Sequence, residues 1–138
     1  MLHNLPNGIN RLLIRGDQDG KMVVVEAMAN LPFPLKRMFA IYGSNPDIIR
    51  GGHANRDSSF GFLCLAGSCD VRLLDADRKV VCEERLDSPD KLFWIGPMVW
   101  KEMYNFSPDC VLTVLSDCLY DPDEYVYDFA EYADLLKA

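Results

Sequence analysis

From residue 60 to residue 115 the sequence alternates between short apolar segments and turn-forming residues. The apolar segments span residues 60–66, 69–74, 79–86, 91–95, 99–106 and 110–115. They begin roughly every eight to twelve residues, and glycine, proline, aspartate or serine lies between them. This spacing is typical of an all-β sandwich or barrel.

The first fifty residues contain weaker strand signals. Apolar or β-branched residues predict strands over 11–15, 22–27 and 36–42, and Asp17–Gly20 predicts a tight turn. Residues 1–10 have the features of an irregular lead-in. We therefore predict about nine strands in a jelly roll closed into a small barrel, because closure removes exposed sheet edges. An open antiparallel sandwich is the alternative.

The last twenty residues have a helical signature. Asp121 is a candidate N-cap, Pro122 suits the first turn, and Glu124 follows at the third helical position. We predict a helix over 122–136. Its apolar face would contain Tyr125, Phe129, Tyr132 and Leu136. We interpret the acidic run 121–124 as this helix start and not as a buried acid/base pair.

The composition limits the classes of function. The 138 residues, 49% hydrophobic and 25% charged, fit one globular domain, and we expect a single domain over 1–138. A net charge of -7 argues against binding to nucleic acid or to an anionic membrane, since both need a basic surface. Neither a signal-peptide pattern nor a run of about eighteen apolar residues occurs, so we expect a cytoplasmic protein.

The five cysteines lie singly within apolar segments, without the close pairing of zinc or redox motifs. They are Cys64, Cys69, Cys82, Cys110 and Cys118. We predict that they are reduced thiols packed in the interior, and not metal ligands.

Two segments carry the residues most suited to chemistry. In the segment 49–56, two glycines precede His53 and Asn55, and the segment 97–105 contains Lys101. Metal-binding barrels use several histidines and a carboxylate at such places, whereas asparagine and protonated lysine are poor ligands, so we expect no metal here.

His53 is the candidate base at neutral pH, because the other histidine, His3, lies close to the terminus. Arg50, Arg56 and Lys101 are candidates for binding a phosphate or carboxylate. Four aromatic residues are candidates for stacking on a base or a sugar, although alternating aromatics usually belong to the core. These are Trp94, Trp100, Tyr104 and Phe106.

Ordered motifs along nearly the whole chain resemble those of one enzyme family. They are Pro32-Phe33 with Lys36-Arg37, Arg50–His53, Cys64–Val71, Ser88–Lys91, Ile95–Phe106, Asp109–Leu112 and Tyr120-Asp121. The sequence is similar to the WxcM-like, RmlC-type cupin sugar 3,4-ketoisomerases, which act on dTDP-4-keto-6-deoxyglucose. The resemblance implies a cupin jelly roll, a homodimer with exchanged N-terminal strands, a dTDP-linked keto sugar as ligand, and no cofactor.

The family reaction moves a carbonyl from C4 to C3 through an enediol, using a His-x-His pair. His53 matches the first histidine, but Asn55 replaces the second, and Lys101 stands where relatives carry histidine or arginine. We predict catalytic roles for His53, which matches the family motif, and for Asn55 and Lys101, which depart from it. We predict substrate-binding roles for Arg50, Arg56, Arg37, Phe39, Trp100, Glu102, Tyr104 and Asn105.

The exchange of histidine for Asn55 leaves three hypotheses open. The chain is a ketoisomerase or a related keto-sugar isomerase or epimerase; it is a catalytically silent nucleotide-sugar binder, regulatory or a partner subunit; or Asn55 is a deliberate substitution made to trap substrate. Asparagine does not carry a proton at neutral pH, although it can hydrogen-bond a hydroxyl or an enediolate oxygen.

Overall fold

Strands dominate the computed structural model, which describes residues 5–138. The strands are β1 (Asn7–Arg11), β2 (Ile14–Asp17), β3 (Gly20–Val23), β4 (Arg37–Tyr42), β5 (Arg50–Asn55), β6 (Phe60–Ala66), β7 (Cys69–Leu74), β8 (Val80–Leu86), β9 (Lys91–Ile95), β10 (Trp100–Tyr104), β11 (Val111–Ser116) and β12 (Tyr125–Val126). A 3-10 turn, Pro122–Glu124, precedes β12, and a single helix, α1 (Phe129–Lys137), follows it. His3 lies outside the described residues.

The strands form two five-stranded antiparallel sheets that enclose one core. The first sheet has the order β1-β9-β6-β11-β4 and the second has the order β12-β5-β10-β7-β8. Side chains alternate across each strand, so Phe60 and Phe62 of β6 and Met103 of β10 point into the same buried cluster. The all-β jelly roll with a short C-terminal helix is therefore confirmed.

Smaller clusters cover the outer faces of the two sheets. Leu31 and Phe33 pack on the outside of the first sheet against Leu63 and Leu92. On the second sheet, Trp100 contacts Phe129 of α1, with ring centroids 4.9 Å apart. The helix therefore seals one sheet face and leaves the interior of the barrel to the strands.

The N-terminal strand predictions are wrong in their bounds. Residues 7–11, predicted as lead-in, pair with β9, because the sheet supplies hydrogen bonds that compensate for weak strand propensity. The strand predicted over 22–27 ends at Val23, where the Asn30 side chain hydrogen-bonds the backbone of Val24 and Glu26. The tight turn at Asp17–Gly20 is confirmed, since it joins β2 to β3.

The helix predicted over 122–136 is also wrong in its extent. Only the 3-10 turn follows Asp121, because Tyr125 and Val126 pair with Asn55 and Ala54 of β5. The helix begins at Phe129, and its N-cap is Asp128, whose side chain accepts a hydrogen bond from the Ala130 amide. Tyr125 therefore belongs to the second sheet and not to the helix.

The hairpin formed by β2 and β3 is a sheet of its own within the described residues. Large apolar side chains on and beside it are exposed: Leu13, Ile14, Met22 and Val24. No helix in residues 5–138 has the length and apolar character needed to cross a membrane.

Candidate active site

A β-bulge in β5 shapes the candidate site. Lys101 of β10 lies opposite His53, but Glu102 lies opposite Gly51, so Gly52 is an extra residue in β5. Gly51 and Gly52 have φ values of 81° and 69°, which residues with a Cβ adopt only at a cost. The two glycines therefore allow the backbone turn that sets the direction of the His53 side chain.

His53 and Lys101 line a cavity of about 170 Å³ at one end of the barrel interior. Its other lining residues are Phe39, Ile41, Arg50, Gly51, Phe60, Phe62, Met103, Val114 and Tyr125. A mostly apolar pocket with a few converging polar groups is the usual form of a small-molecule site. The volume is below the range of about 300–1,000 Å³ typical of drug-sized ligands, so it suits part of a larger molecule.

The His53 imidazole is held in its neutral form. Burial, followed by the nearby positive charge of Lys101, lowers the pKa of His53 to about 4. Tyr125 and Tyr127 flank the ring, with centroids 4.9 Å and 5.5 Å from it. At neutral pH this side chain is therefore free to accept a proton.

Lys101 is a buried cation in contact with Asn55. Its residue is 3% exposed, and its Nζ donates to Asn55 Oδ1 at 2.5 Å and lies 4.3 Å from the centre of the Phe60 ring. Burial lowers the pKa of Lys101 to about 7, against the opposing effect of Glu124 and with the help of Arg37. Near neutral pH this amine is therefore present in both protonation states.

Glu124 is a buried carboxylate that the sequence did not indicate as part of a site. It is 3% exposed, and it accepts hydrogen bonds from the Ser58 hydroxyl and, at 3.0 Å each, from the amides of Asp57 and Ser58. Burial acts to raise its pKa, but these hydrogen bonds outweigh burial and hold the pKa of Glu124 below its usual value. Our interpretation of residues 121–124 as an exposed helix start is therefore wrong for Glu124.

Two arginines lie at the same end of the barrel. The Arg37 guanidinium contacts the rings of Phe39, Phe60 and Tyr120, at 5.6, 6.0 and 5.7 Å from their centres. Its buried Nε and Nη2 atoms have no hydrogen-bond partner among residues 5–138. Arg50 is exposed at the cavity lining. Both guanidinium groups are suited to bind an anionic group, and the unpaired N–H donors of Arg37 could donate hydrogen bonds to it.

The structure brings together His53, Asn55, Lys101, Arg50, Arg37 and Phe39 of the predicted site residues. The five other predicted residues lie outside the cavity: Arg56, Trp100, Glu102, Tyr104 and Asn105. For Trp100, Glu102 and Tyr104 the reason is the alternation of side chains along β10, which places them on the outer face of the second sheet.

The predicted site residues that lie outside the cavity have partners elsewhere in the protein. Glu102 binds Arg72 at 2.8 Å, and the Arg72 guanidinium lies 4.5 Å from the Tyr104 ring centre. Asn105 donates to Asp70 at 3.0 Å, and Arg56 pairs with Glu131 at 2.9 Å on the surface.

The two remaining aromatic candidates pack in the protein interior. Trp94 is half-buried against the cluster outside the first sheet, and Phe106 lies in the core between the sheets. Phe106 does not share the outward side of Tyr104, because Asn105 has a φ of 56° and breaks the alternation between them.

Tyr125, which lines the cavity, was also not predicted from the sequence as a site residue. The alternation Tyr125-Val126-Tyr127 is a short strand pattern, and it was the one signal for β12. The preceding proline and acidic residues favoured a helix more strongly, and only pairing with β5 decides between the two.

Comparison with known proteins gives this site its context. Residues 6–137 match the family model described as FdtA, WxcM-like, C-terminal. The chain belongs to the WxcM-like family. A TDP-4-oxo-6-deoxy-alpha-D-glucose-3,4-oxoisomerase of Aneurinibacillus thermoaerophilus is 38% identical over 116 residues, which cover 84% of this chain and 82% of that enzyme.

Solved structures of sugar ketoisomerases share the fold of this WxcM-like chain. The TDP-fucose-3,4-ketoisomerase WlaRA of Campylobacter jejuni is 37% identical, with a TM-score of 0.86 over 94% of this chain and 95% of that chain. The 3,4-ketoisomerase QdtA of Thermoanaerobacterium thermosaccharolyticum, solved with TDP, is 32% identical, with a TM-score of 0.91 over 99% and 97%. A histidine-to-asparagine mutant of QdtA, solved with TDP-4-keto-6-deoxyglucose, has a TM-score of 0.91 at 31% identity over 99% and 96%.

Proposed function

We propose that this chain is a TDP-4-keto-6-deoxyhexose 3,4-ketoisomerase of deoxysugar biosynthesis. The observation that carries the proposal is that His53 and Lys101, a neutral imidazole and a lysine with a pKa near neutrality, both line one mostly apolar cavity, with the charge of the buried Glu124 carboxylate acting on both. An isomerisation through an enediol needs groups that accept and return protons in a water-poor site, and this set supplies them. The ketoisomerase activities of the similar enzymes support the same reaction class.

The cavity and its arginines support one placement of such a substrate. The cavity of about 170 Å³ takes the keto sugar, whose ring contacts the apolar wall, and the nucleotide remains at the mouth. Arg50 and the unpaired donors of Arg37 then bind the diphosphate. Binding energy from the nucleotide would in this way hold the sugar against His53.

His53 is the proposed base for the first proton transfer. It removes the proton from C3, the C3–H electrons form a C3–C4 double bond, and the C4 carbonyl becomes an enediolate oxygen. Return of a proton to C4, with loss of the proton on the C3 oxygen, leaves a ketone at C3 and a hydroxyl at C4. The electrons stay within the sugar, so the reaction needs no redox partner.

Lys101 is the proposed proton donor to the developing C4 oxygen. Its ammonium group is already held in the site by Asn55 and by the Phe60 ring, so it needs little reorganisation during the reaction. Asn55 positions Lys101 and does not itself carry a proton. In this proposal a lysine supplies the proton-transfer capacity that the missing second histidine would provide.

We also propose that the protein is a homodimer with exchanged N-terminal strands, acting in the cytoplasm. The β2–β3 hairpin pairs with no other described strand of its own chain and exposes Ile14 and Met22, so it is placed to pair with a second copy. The five free cysteines suit a reducing compartment.

The test is incubation of the protein with TDP-4-keto-6-deoxyglucose, followed by NMR of the sugar. The expected result is a 3-keto product from the unmodified protein and a loss of turnover of about 10²–10⁴-fold in His53→Asn. Binding of TDP, measured by calorimetry, should persist in both proteins.

Three outcomes would contradict the proposal. TDP-sugar binding without any 3-keto product would favour the silent binder, and undiminished turnover in His53→Asn would exclude His53 as the base. Turnover that appears only after Asn55→His would show that the Asn55 form is a trapped enzyme.

A further inference from the structure

Three cysteine side chains meet inside the barrel although they lie on three different segments. Cys64 is in β6, Cys69 begins β7, and Cys110 directly precedes β11. Their sulfur atoms all lie within 4.8 Å of one another, and Cys64 Sγ is 3.7 Å from Cys110 Sγ. All three residues are at most 4% exposed.

This cluster is distinct from the candidate active site. Phe60, which lines the cavity, lies on the same strand as Cys64 and on the same face, four residues earlier. A strand rises about 3.3 Å per residue, so the cluster lies about 13 Å further along the barrel interior. None of the three cysteines lines the cavity.

The arrangement of the sulfurs matches the needs of a metal ion that prefers thiolates. Metal–sulfur bonds of about 2.3 Å place neighbouring sulfurs roughly 3.7–4 Å apart in tetrahedral or trigonal geometry. The Cys64–Cys110 separation already has this value, and the third sulfur needs only a small movement. Among the described residues, the group contains no nitrogen or oxygen ligand from histidine, aspartate or glutamate, which disfavours hard cations.

We propose that Cys64, Cys69 and Cys110 form a structural site for one thiophilic cation, Zn²⁺ or Cu⁺. On binding, each S–H bond is replaced by a metal–sulfur bond and its proton passes to solvent. No oxidant or reductant is needed. Three sulfurs suit trigonal Cu⁺ directly, because Cu⁺ prefers soft thiolates. Zn²⁺ in structural sites has four protein ligands, so here it would need a water in the fourth position.

The position of the cluster gives the cation a structural role. Cys64 and Cys110 belong to the first sheet and its approach, and Cys69 belongs to the second sheet. Two turns lie over the cluster and are joined by hydrogen bonds of 2.9 Å between Ser68 and Ser107. A cation bound here would therefore tie the two sheets together at the end opposite the cavity.

The chain offers a matched test, because Cys82 and Cys118 lie outside the cluster. The protein is reduced, incubated anaerobically with one equivalent of Zn²⁺ or of Cu⁺, desalted, and analysed for metal per chain. We expect about one equivalent to be retained, together with a rise in Tm. Retention should fall at least tenfold in Cys64→Ser, Cys69→Ser and Cys110→Ser and should be unchanged in Cys82→Ser and Cys118→Ser.

X-ray absorption on the unmodified protein keeps the test valid if the serine variants fail to fold. Three sulfur neighbours at about 2.3 Å support the site. A shell of nitrogen and oxygen alone, retention of neither cation, or equal retention by folded cluster variants and controls would each overturn the proposal. The two cation arms also identify which ion the site prefers.

Discussion

Lys101 is an amine with almost no access to solvent, and its charge depends on the groups around it. Its pKa of about 7 is the net result of three effects: burial, the largest, lowers it, the negative charge of Glu124 raises it, and the positive charge of Arg37 lowers it. The direction of any change in this pKa therefore follows from the sign of the charge that is added or removed nearby.

This residue-scale balance predicts a pH dependence. If the ammonium form of Lys101 donates the proton, turnover falls as the pH rises through about 7, because the ammonium fraction falls. Asn55→Asp adds an anion next to Lys101 Nζ and favours the ammonium form, so the fall in turnover should move to higher pH. Glu124→Gln removes an anion and should move it to lower pH. The measurement is turnover against pH for the three proteins.

The control is Lys101→Arg, which keeps the positive charge at every accessible pH but cannot give up a proton. Its turnover should therefore be low at every pH, and the remaining activity should lack the fall near pH 7 that Lys101 causes. Folding of each variant is verified by circular dichroism. If turnover falls at the same pH in Asn55→Asp and Glu124→Gln as in the unmodified protein, another group controls the rate.

At the residue scale the sequence predicted the polar centre of the site better than its surroundings. His53, Asn55 and Lys101 were predicted as a group, and the structure brings them together. Glu124 was missed because its burial depends on the pairing of β12 with β5, a contact between residues about seventy positions apart in the chain. The catalytic roles themselves remain predictions.

At the scale of elements, the site depends on a single strand with an irregular register. β5 contains the Gly51-Gly52 bulge and ends at Asn55, and it lies between β10 and β12. A Cβ on Gly51 would lie 2.9 Å from the Lys101 carbonyl oxygen, whereas a Cβ on Gly52 would meet no atom within 4 Å. The two glycines therefore differ in their contacts although they share a positive φ.

This difference predicts unequal effects of the same substitution. Gly52→Ala should cost about 1–2 kcal/mol of stability, which is the expected cost of a left-handed backbone for alanine. Gly51→Ala adds the collision with Lys101 and should also lower kcat by at least tenfold, because the collision moves the proton donor. Chemical unfolding and steady-state kinetics of both variants provide the measurement. Equal kinetic losses would show that the bulge acts only through stability.

The elements that the sequence predicted best have dense, alternating apolar residues. The strands Phe60–Ala66, Cys69–Leu74 and Lys91–Ile95 were predicted with the bounds that the structure has. β5 was not predicted as a strand, because two glycines and an asparagine lower its strand propensity. Its pairing on both sides forms it nonetheless, and the element least visible in the sequence carries His53.

At the scale of the whole molecule, the two ends of the barrel have different chemistry. One end contains the cavity with its titratable groups, and the other contains the three-cysteine cluster. Within residues 5–138 the β2–β3 hairpin pairs with neither sheet, and although Val23 packs against the first sheet's outer cluster, other apolar side chains of the hairpin are exposed. A second copy of the chain is the proposed cover for this hairpin, since apolar surface of this kind is stabilised by burial.

The proposed dimer predicts that a charge on the hairpin separates the subunits. Met22, 55% exposed on β3, is the site for Met22→Glu, and Leu135→Glu, at 36% exposure on α1, is the control. Sedimentation should give twice the chain mass for the unmodified protein and for the control, and a shift toward the monomer for Met22→Glu. A monomeric unmodified protein would contradict the dimer.

The central claim is that His53 removes the proton from C3 of the sugar. The direct measurement follows TDP-4-keto-6-deoxyglucose labelled with deuterium at C3 as it reacts in H₂O, with the label observed by NMR. We expect the unmodified protein to remove the deuterium from C3 and His53→Asn, folded and still binding TDP, to leave it in place. Loss of the C3 label at the same rate in both proteins would contradict it.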